Sequence, residues 1–255
     1  MVPTNLVPPA SPDWATNNRQ TEKLVGVLGG MGPLATAYFL ERIVARTAAN
    51  KDQDQVNLIV FSHAAIPDRT DFIGGRNVAN PAPILINDAQ RLANFGADFL
   101  VMPCNTAHFF APDIQAAIEI PLLSIVEVTV AAALAQAPGC AVVGLLATEG
   151  TIAAKVYSDA FAAHGVAVIT PASDDQKLVN SLIYDQVKAG LPANLPTLQT
   201  VTNRLVDRGA EIVILGCTEL SVAALDYNLL ASPIYCDSME QLVQATILAA
   251  GHEVV

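Results

Sequence analysis

Positive charge is scarce in this sequence: 13 Lys and Arg residues stand against 24 Asp and Glu, for a net charge of −11. Phosphate backbones are gripped by clustered cations, so this balance speaks against a nucleic-acid partner. Long apolar runs are lacking too. Glu119, Pro121 and Glu127 interrupt the best candidate before it reaches the roughly 18 residues of a membrane span. The N-terminus, MVPTNLVPPASPDWATNNRQ, has neither the basic leader nor the apolar core of a secretory signal. The expectation is a cytoplasmic protein with no membrane partner. Cysteine is limited to four residues with no C-x-x-C pair, which points to thiols rather than disulfides or a zinc site. His63, His164 and His252 form no metal-ligand pattern, and no metal is expected.

What is present is apolar bulk. The composition is 52% hydrophobic and 15% charged, that of a compact globular chain. Its 255 residues suffice for one large domain or two of roughly 100–130 residues each. Residues 1–21, rich in Pro and Asn, read as a flexible tail. Beyond them apolar runs alternate with helical patterns, the signal for parallel strands joined by crossover helices. Strands are expected at 24–29, 57–62, 98–102, 121–123, 141–146, 165–169, 211–215 and 233–236. Helices are expected at 34–49, 81–95, 106–118, 125–136, 150–163, 175–189, 196–208, 218–225 and 238–250.

Three pairs of segments recur in the same order. GVLGGMGPLAT matches VGLLATEGTIA, FGADFLVMPCNTAHF matches RGAEIVILGCTELSV, and IPLLSIVEVTVAAAL matches SPIYCDSMEQLVQAT. The period of roughly 115 residues suits a duplicated α/β unit rather than a solenoid. The expected fold is therefore α/β, with two similar domains of parallel sheets flanked by helices, related by an approximate twofold around a shared cleft. Residues 22–123 with 226–255 are assigned to the first domain and 124–225 to the second.

In open parallel sheets ligands bind at the carboxyl ends of strands. Cys104 and Cys217 each stand just past such an end, before a helix whose amides and dipole stabilise a thiolate. A lone cysteine is ordinarily a small core hydrophobe, the reading given to Cys140 and Cys236. Two matched cysteines, each followed by threonine, are poorly explained that way. Near Gly29, GMGPLA matches a dinucleotide fingerprint formally, but the second strand ends in Ser62 and His63 instead of the acid such a site needs. The better reading is that the backbone at Met31 and Gly32 approaches a small anion at the first helix.

Two cations remain in balance. Arg69, in the loop IPDRTDFIGG, is either a cleft cation or a loop charge paired with Asp68 or Asp71. Lys188 lies in the last turn of a helix ending at Gly190, where the dipole favours lysine regardless of function. His108 either helps position Cys104 or fills a helix face. Glu219 either orients Cys217 or is a solvated first-turn carboxylate.

Taken together, GVLGGMGPLAT, IPDRT, GADFLVMPCNTAH, GLLATEGTI, VKAG and GAEIVILGCTEL resemble the cofactor-independent aspartate/glutamate racemase family, and within it the aspartate racemases. The resemblance runs from about Leu24 to the last helix. Glutamate racemases of that superfamily open with DSGVGG and carry His after the second Cys-Thr, whereas this chain has GGMGPL and Glu219. The resemblance implies an isomerase with its site between two α/β domains, Cys104 and Cys217 as acid and base, and an acidic amino acid as substrate. It also implies no pyridoxal phosphate or other cofactor, and a homodimer. Arg69 and Lys188 inherit contact with the side-chain carboxylate. Asn105, Thr106, Thr148, Thr151 and Thr218 are the side-chain candidates for the α-carboxylate. Rival readings are a glutamate racemase, a maleate-type isomerase or a malonate decarboxylase on the same scaffold, or a non-catalytic amino-acid sensor. Decarboxylases usually work with one of the two cysteines, and binding alone needs neither.

Overall fold

The computed structural model describes residues 23–255. The expected tail at 1–21 lies outside the described residues. The chain forms two sheets of identical topology. The first holds β1 (Leu24–Gly29), β2 (Asn57–Ser62), β3 (Phe99–Val101) and β4 (Leu122–Leu123), in the order β2-β1-β3-β4. The second holds β5 (Val142–Leu146), β6 (Ala167–Ile169), β7 (Ile212–Leu215) and β8 (Tyr235–Asp237), in the order β6-β5-β7-β8. Every pairing is parallel. The fold is thus α/β with two similar halves, each a four-stranded parallel sheet flanked by helices.

The strands are short apolar runs because the central ones are covered on both faces. Val25, Val27, Val143, Leu145, Ile212 and Ile214 are completely or almost completely buried. Around the first sheet lie α1 (Pro33–Arg46), α2 (Arg69–Ile73), α3 (Ala82–Asn94) and α4 (Ala111–Ala116). Then come α5 (Ile125–Gln136), α6 (Glu149–Ala153), α7 (Val156–Ala162), α8 (Ser173–Asn180), α9 (Leu195–Asp207), α10 (Thr218–Asp226) and α11 (Ser238–Ala249). One core cluster draws on both halves, joining Val25 and Phe39 to Val143 and Phe161 through Ile125, Leu242 and Ile247. The halves are therefore packed on each other.

Several expected helices are subdivided. The helix expected at 106–118 is a 3-10 turn, Thr106–Phe110, followed by α4, whose Pro112 lacks the N–H that a continuous helix would use. The one expected at 150–163 breaks at Lys155, which adopts a left-handed φ of 57°. The one expected at 175–189 is α8, then a π turn Ser181–Gln186, then a 3-10 turn Val187–Ala189 ending at left-handed Gly190. The loop around Arg69 contains α2.

The assignment of 226–255 to the first domain needs correction. Within it, β8 pairs with β7 through Val213↔Tyr235, Ile214↔Cys236 and Leu215↔Asp237, so these residues complete the second sheet. The physical reason is the duplication: β8 does for β7 what β4 does for β3. The rest of the segment reaches both halves: α11 packs on α5 and α10 as well as on α1, and Thr47 bridges Val254.

Candidate active site

Both motif cysteines open onto one cavity. Cys104 follows β3, and Cys217 is the N-cap residue of α10 directly after β7; they are 6% and 5% exposed. The cavity, about 20 Å³, is also lined by Met31, Arg69, Asn105, Thr106, Thr148, Lys188, Thr218 and Glu219. Both cysteines are free thiols. Among the sequence candidates, three stand apart from this lining. Gly32 borders an adjoining cavity, Thr151 sits behind Thr106 and Thr148, and His108 lies on the far side of Cys104. Asp68, Thr70 and Tyr184 line the cavity as well. Sequence reasoning missed them, although Thr70 follows Arg69 in IPDRT and Tyr184 precedes Lys188 by one helical turn.

The two thiols differ in their surroundings. The Sγ of Cys217 donates to Glu219 Oε2 at 2.9 Å, and Thr218 Oγ1 donates to the same oxygen at 3.2 Å. Burial, reinforced by the charge of Glu219, pushes the Cys217 thiol well above the usual range, and Lys188 pulls it partly back. Glu219 is therefore no solvated first-turn carboxylate. Its Oε1 lies 3.7 Å from Lys188 Nζ. Burial works against the charge on Lys188, but the negative charge of Glu219 above all, with smaller contributions from Cys217, Tyr184 and Cys104, outweighs it, and the ammonium pKa is raised. The same Nζ sits 4.7 Å above the Tyr184 ring, a cation–π contact.

Arg69 is not paired with Asp68 or Asp71. Asp68 caps α2 by accepting from the Asp71 N–H, and Asp71 binds Arg76 at 2.6 Å. Arg69 instead donates through Nη1 to the carbonyls of Ile66 and Pro67, while its buried Nε–H has no partner. Its loop is brought in by a close approach between the halves. A Cβ on Gly150 of α6 would lie 2.6–2.9 Å from atoms of Thr70, so only glycine lets α2 approach this closely. Tyr184 OH reaches Thr70 Oγ1 at 3.3 Å across the same seam.

Hydroxyls and amides complete the wall. Thr106, Thr148 and Thr151 form a triangle of Oγ1 contacts at 3.0, 2.8 and 3.0 Å. Tyr157 OH donates to Asn105 Oδ1 at 2.6 Å, and Asn105 Nδ2 donates to Ser238 Oγ at 3.0 Å. The Asn105 amide is thus fixed by groups from the second half.

The Cys104 loop is also strapped from behind, and the helix that follows Cys217 is tied at the corresponding position. Four residues after Cys104, His108 Nδ1 donates to the Cys104 carbonyl at 2.8 Å, and His108 Nε2 accepts from the Ile125 N–H at 3.1 Å. This network assigns the neutral ring with its proton on Nδ1. Burial lowers the His108 pKa to about 4, in keeping with that state. Four residues after Cys217, Ser221 donates to Asp237 Oδ1, and Asp237 caps α11. His108 thus holds the Cys104 backbone and is not a group facing the cavity.

Cys140 and Cys236 are core residues, 6% and 1% exposed. Burial raises the Cys236 thiol to about 12, and its Sγ faces the Thr129 carbonyl at 3.8 Å. Among the described residues no cluster of His, Cys, Asp and Glu could hold a metal ion, and no helix is long and apolar enough to cross a membrane.

Comparison with known proteins agrees with this architecture. Residues 28–246 match the model of the Asp/Glu/hydantoin racemase family. A broad-specificity amino-acid racemase of Bacillus subtilis (strain 168) is 30% identical over 230 residues, covering 88% of this chain and 96% of that one. The aspartate racemase of Picrophilus torridus superimposes with a TM-score of 0.76 at 29% identity, over 91% of this chain and 96% of that chain. An aspartate racemase homologue from Pyrococcus horikoshii shares the fold, with a TM-score of 0.71 at 24% identity over 90% and 99% of the two chains. With most of its length matched by the family model and by full-length relatives, the chain belongs to the Asp/Glu/hydantoin racemase family.

Proposed function

We propose that this racemase interconverts L- and D-aspartate by two-base proton transfer at the α-carbon, one cysteine removing a proton and the other delivering one, without pyridoxal phosphate. The observation that carries the reading is the convergence of Cys104, Cys217, Arg69 and Lys188 on one cavity in a protein of net charge −11. Inversion at Cα removes a proton from one face and delivers one to the other, so two groups on opposite faces do it better than one.

The surroundings of Cys217 favour the thiol, which suits it to donate in the first turnover. Cys104 then has to act as thiolate, and the roles exchange in the reverse direction. Arg69 and Lys188 hold the side-chain carboxylate, and the unused Nε–H of Arg69 makes a two-point grip available. The hard step is the carbanion. Negative charge spreading onto the α-carboxylate meets Thr106, Thr148 and Thr218 together with backbone N–H groups around Met31 and the cysteines. Each well-aimed donor contributes on the order of 3 kcal/mol. Asn105 belongs to the same wall, its amide held by Tyr157 and Ser238, and Thr151 supports the wall from behind.

In deuterated water, protein without added cofactor should exchange the α-hydrogen of aspartate while interconverting the enantiomers. Absence of exchange removes the proposal. A second reading, racemisation of many amino acids, is favoured by the name of the Bacillus subtilis relative. Comparable exchange of aspartate, glutamate and neutral amino acids would select it. A maleate-type isomerase would instead form a thiolate adduct visible by mass spectrometry. A homodimer in the cytoplasm belongs to the same reading, and the mass in solution tests the dimer.

A further inference from the structure

A second cavity adjoins the first. It is about 340 Å³, and Asp68, Arg69, Lys188 and Glu219 line both. The shared polar groups form the partition, and the outer chamber beyond it is mostly apolar. Its wall is built by Leu34, Ala35, Ala64, Ile66, Val187 and Val222. These come from the first turn of α1, the loop after β2, the 3-10 turn beside Lys188 and the outer face of α10. Leu34 is 52% exposed there, off the buried face of α1 that Ala35, Phe39 and Ile43 form. Apolar surface held open to water next to two cations has no use in binding aspartate alone, because aspartate ends at its own carboxylate.

We propose that this chamber is a substituent subsite, and that the substrate class includes acidic amino acids bearing an apolar group on the side chain next to the carboxylate. The proposal rests on the inner cavity being the amino-acid site. With the side-chain carboxylate on Arg69 and Lys188, a group branching from the same carbon has its nearest open space past the partition. Burying such a group against Leu34, Ile66 and Val222 is favourable in proportion to the area removed from water. Bulk solvent around the chamber's open side sets no sharp upper length.

The test compares aspartate with 3-benzylaspartate by calorimetry on the full chain, in wild type, Ala64→Trp and Leu34→Gln. Ala64 is exposed in its loop, and glutamine is an uncharged helix former at the exposed position 34 of α1, so both variants should fold. Wild type should bind the benzyl compound at least about tenfold tighter than aspartate, a modest yield for one buried ring. Both variants should lose that advantage while their affinity for aspartate moves less than about twofold. A benzyl compound that binds no tighter than aspartate, or that keeps its gain in both variants, overturns the subsite. α-Proton exchange is recorded on the same samples. Tight binding of both compounds with exchange of neither keeps the subsite and removes the racemase reading.

Discussion

The thiol of Cys217 donates a hydrogen bond to the carboxylate of Glu219, two residues further on, at 2.9 Å. Replacing that carboxylate with an amide removes a neighbouring negative charge, the largest contribution after burial to the raised thiol pKa. In Glu219→Gln the Cys217 thiolate should form at lower pH. Each unit of downward shift is about a tenfold rise in thiolate at a fixed pH below the pKa. Alkylation of Cys217 by iodoacetamide, followed by mass spectrometry against pH, measures this. An unchanged profile would mean that burial alone sets the thiol.

Arg69→Leu should lower kcat/KM for aspartate by at least about tenfold, the loss of one charge-assisted contact, and leave exchange of alanine nearly untouched. Arg69→Lys should recover little, since a single ammonium cannot reproduce a planar two-point grip. Equal losses for both amino acids would take Arg69 out of the side-chain site.

Gly150→Ala sets two effects against each other. Alanine stabilises an open helical position by about 1 kcal/mol relative to glycine. Here its Cβ would meet Thr70 at 2.6–2.9 Å, so a net destabilisation of about 1–3 kcal/mol is expected. Displacing α2 also displaces Arg69, so KM for aspartate should rise. Urea unfolding and steady-state kinetics report the two effects separately.

The strap behind Cys104 and the tie on the helix after Cys217 titrate in opposite directions. His108 has its pKa lowered by burial from 6.5 to about 4. Its contribution to stability is complete above pH 6.5 and falls away as the pH drops toward 4. Asp237 has its pKa raised by burial from 3.8 to about 6. Its contribution is complete below pH 3.8 and is lost as the pH rises through 6. Each is worth about 3 kcal/mol by linkage, and between pH 4 and 6 they largely cancel. Relative to wild type, His108→Gln should lose stability as the pH rises across that window, and Asp237→Asn should gain it. Chemical denaturation at pH 4, 5 and 6 shows the two slopes. Parallel slopes would mean that neither group titrates as placed.

The eight strands were legible in the sequence because a buried parallel strand is a local signal, a short apolar run closed by Gly, Pro or a polar turn. The placement of Cys104 and Cys217 just past strand ends was legible for the same reason, each closing such a run. The membership of Tyr235–Asp237 in the second sheet is carried only by the repeat, in which SPIYCDS matches the IPLLS whose strand pairs with β3; the local apolar run does not say which edge it joins. Helix α2 was hidden in five residues of loop-like composition. The π turn that carries Tyr184 leaves no mark in apolar periodicity, so nothing in the sequence turns Tyr184 toward the cavity that Lys188 lines one turn later. Arg69 and Glu219 stayed ambiguous for a different reason. Whether a charge has a partner depends on what the other half of the molecule brings to it, and for Arg69 the nearby Asp68 and Asp71 turned out to be occupied elsewhere.

The three threonine hydroxyls beside the cysteines own one hydrogen apiece and share three edges. Those hydrogens can circulate clockwise or anticlockwise with the same tally of bonds, so reversing the ring costs little. A carboxylate arriving at Thr106 or Thr148 can break one edge and draw that hydrogen outward, and the remaining two still point along the ring in either sense. A reversible reaction runs over its barrier from both sides, and a wall whose polarity can turn over serves each direction equally.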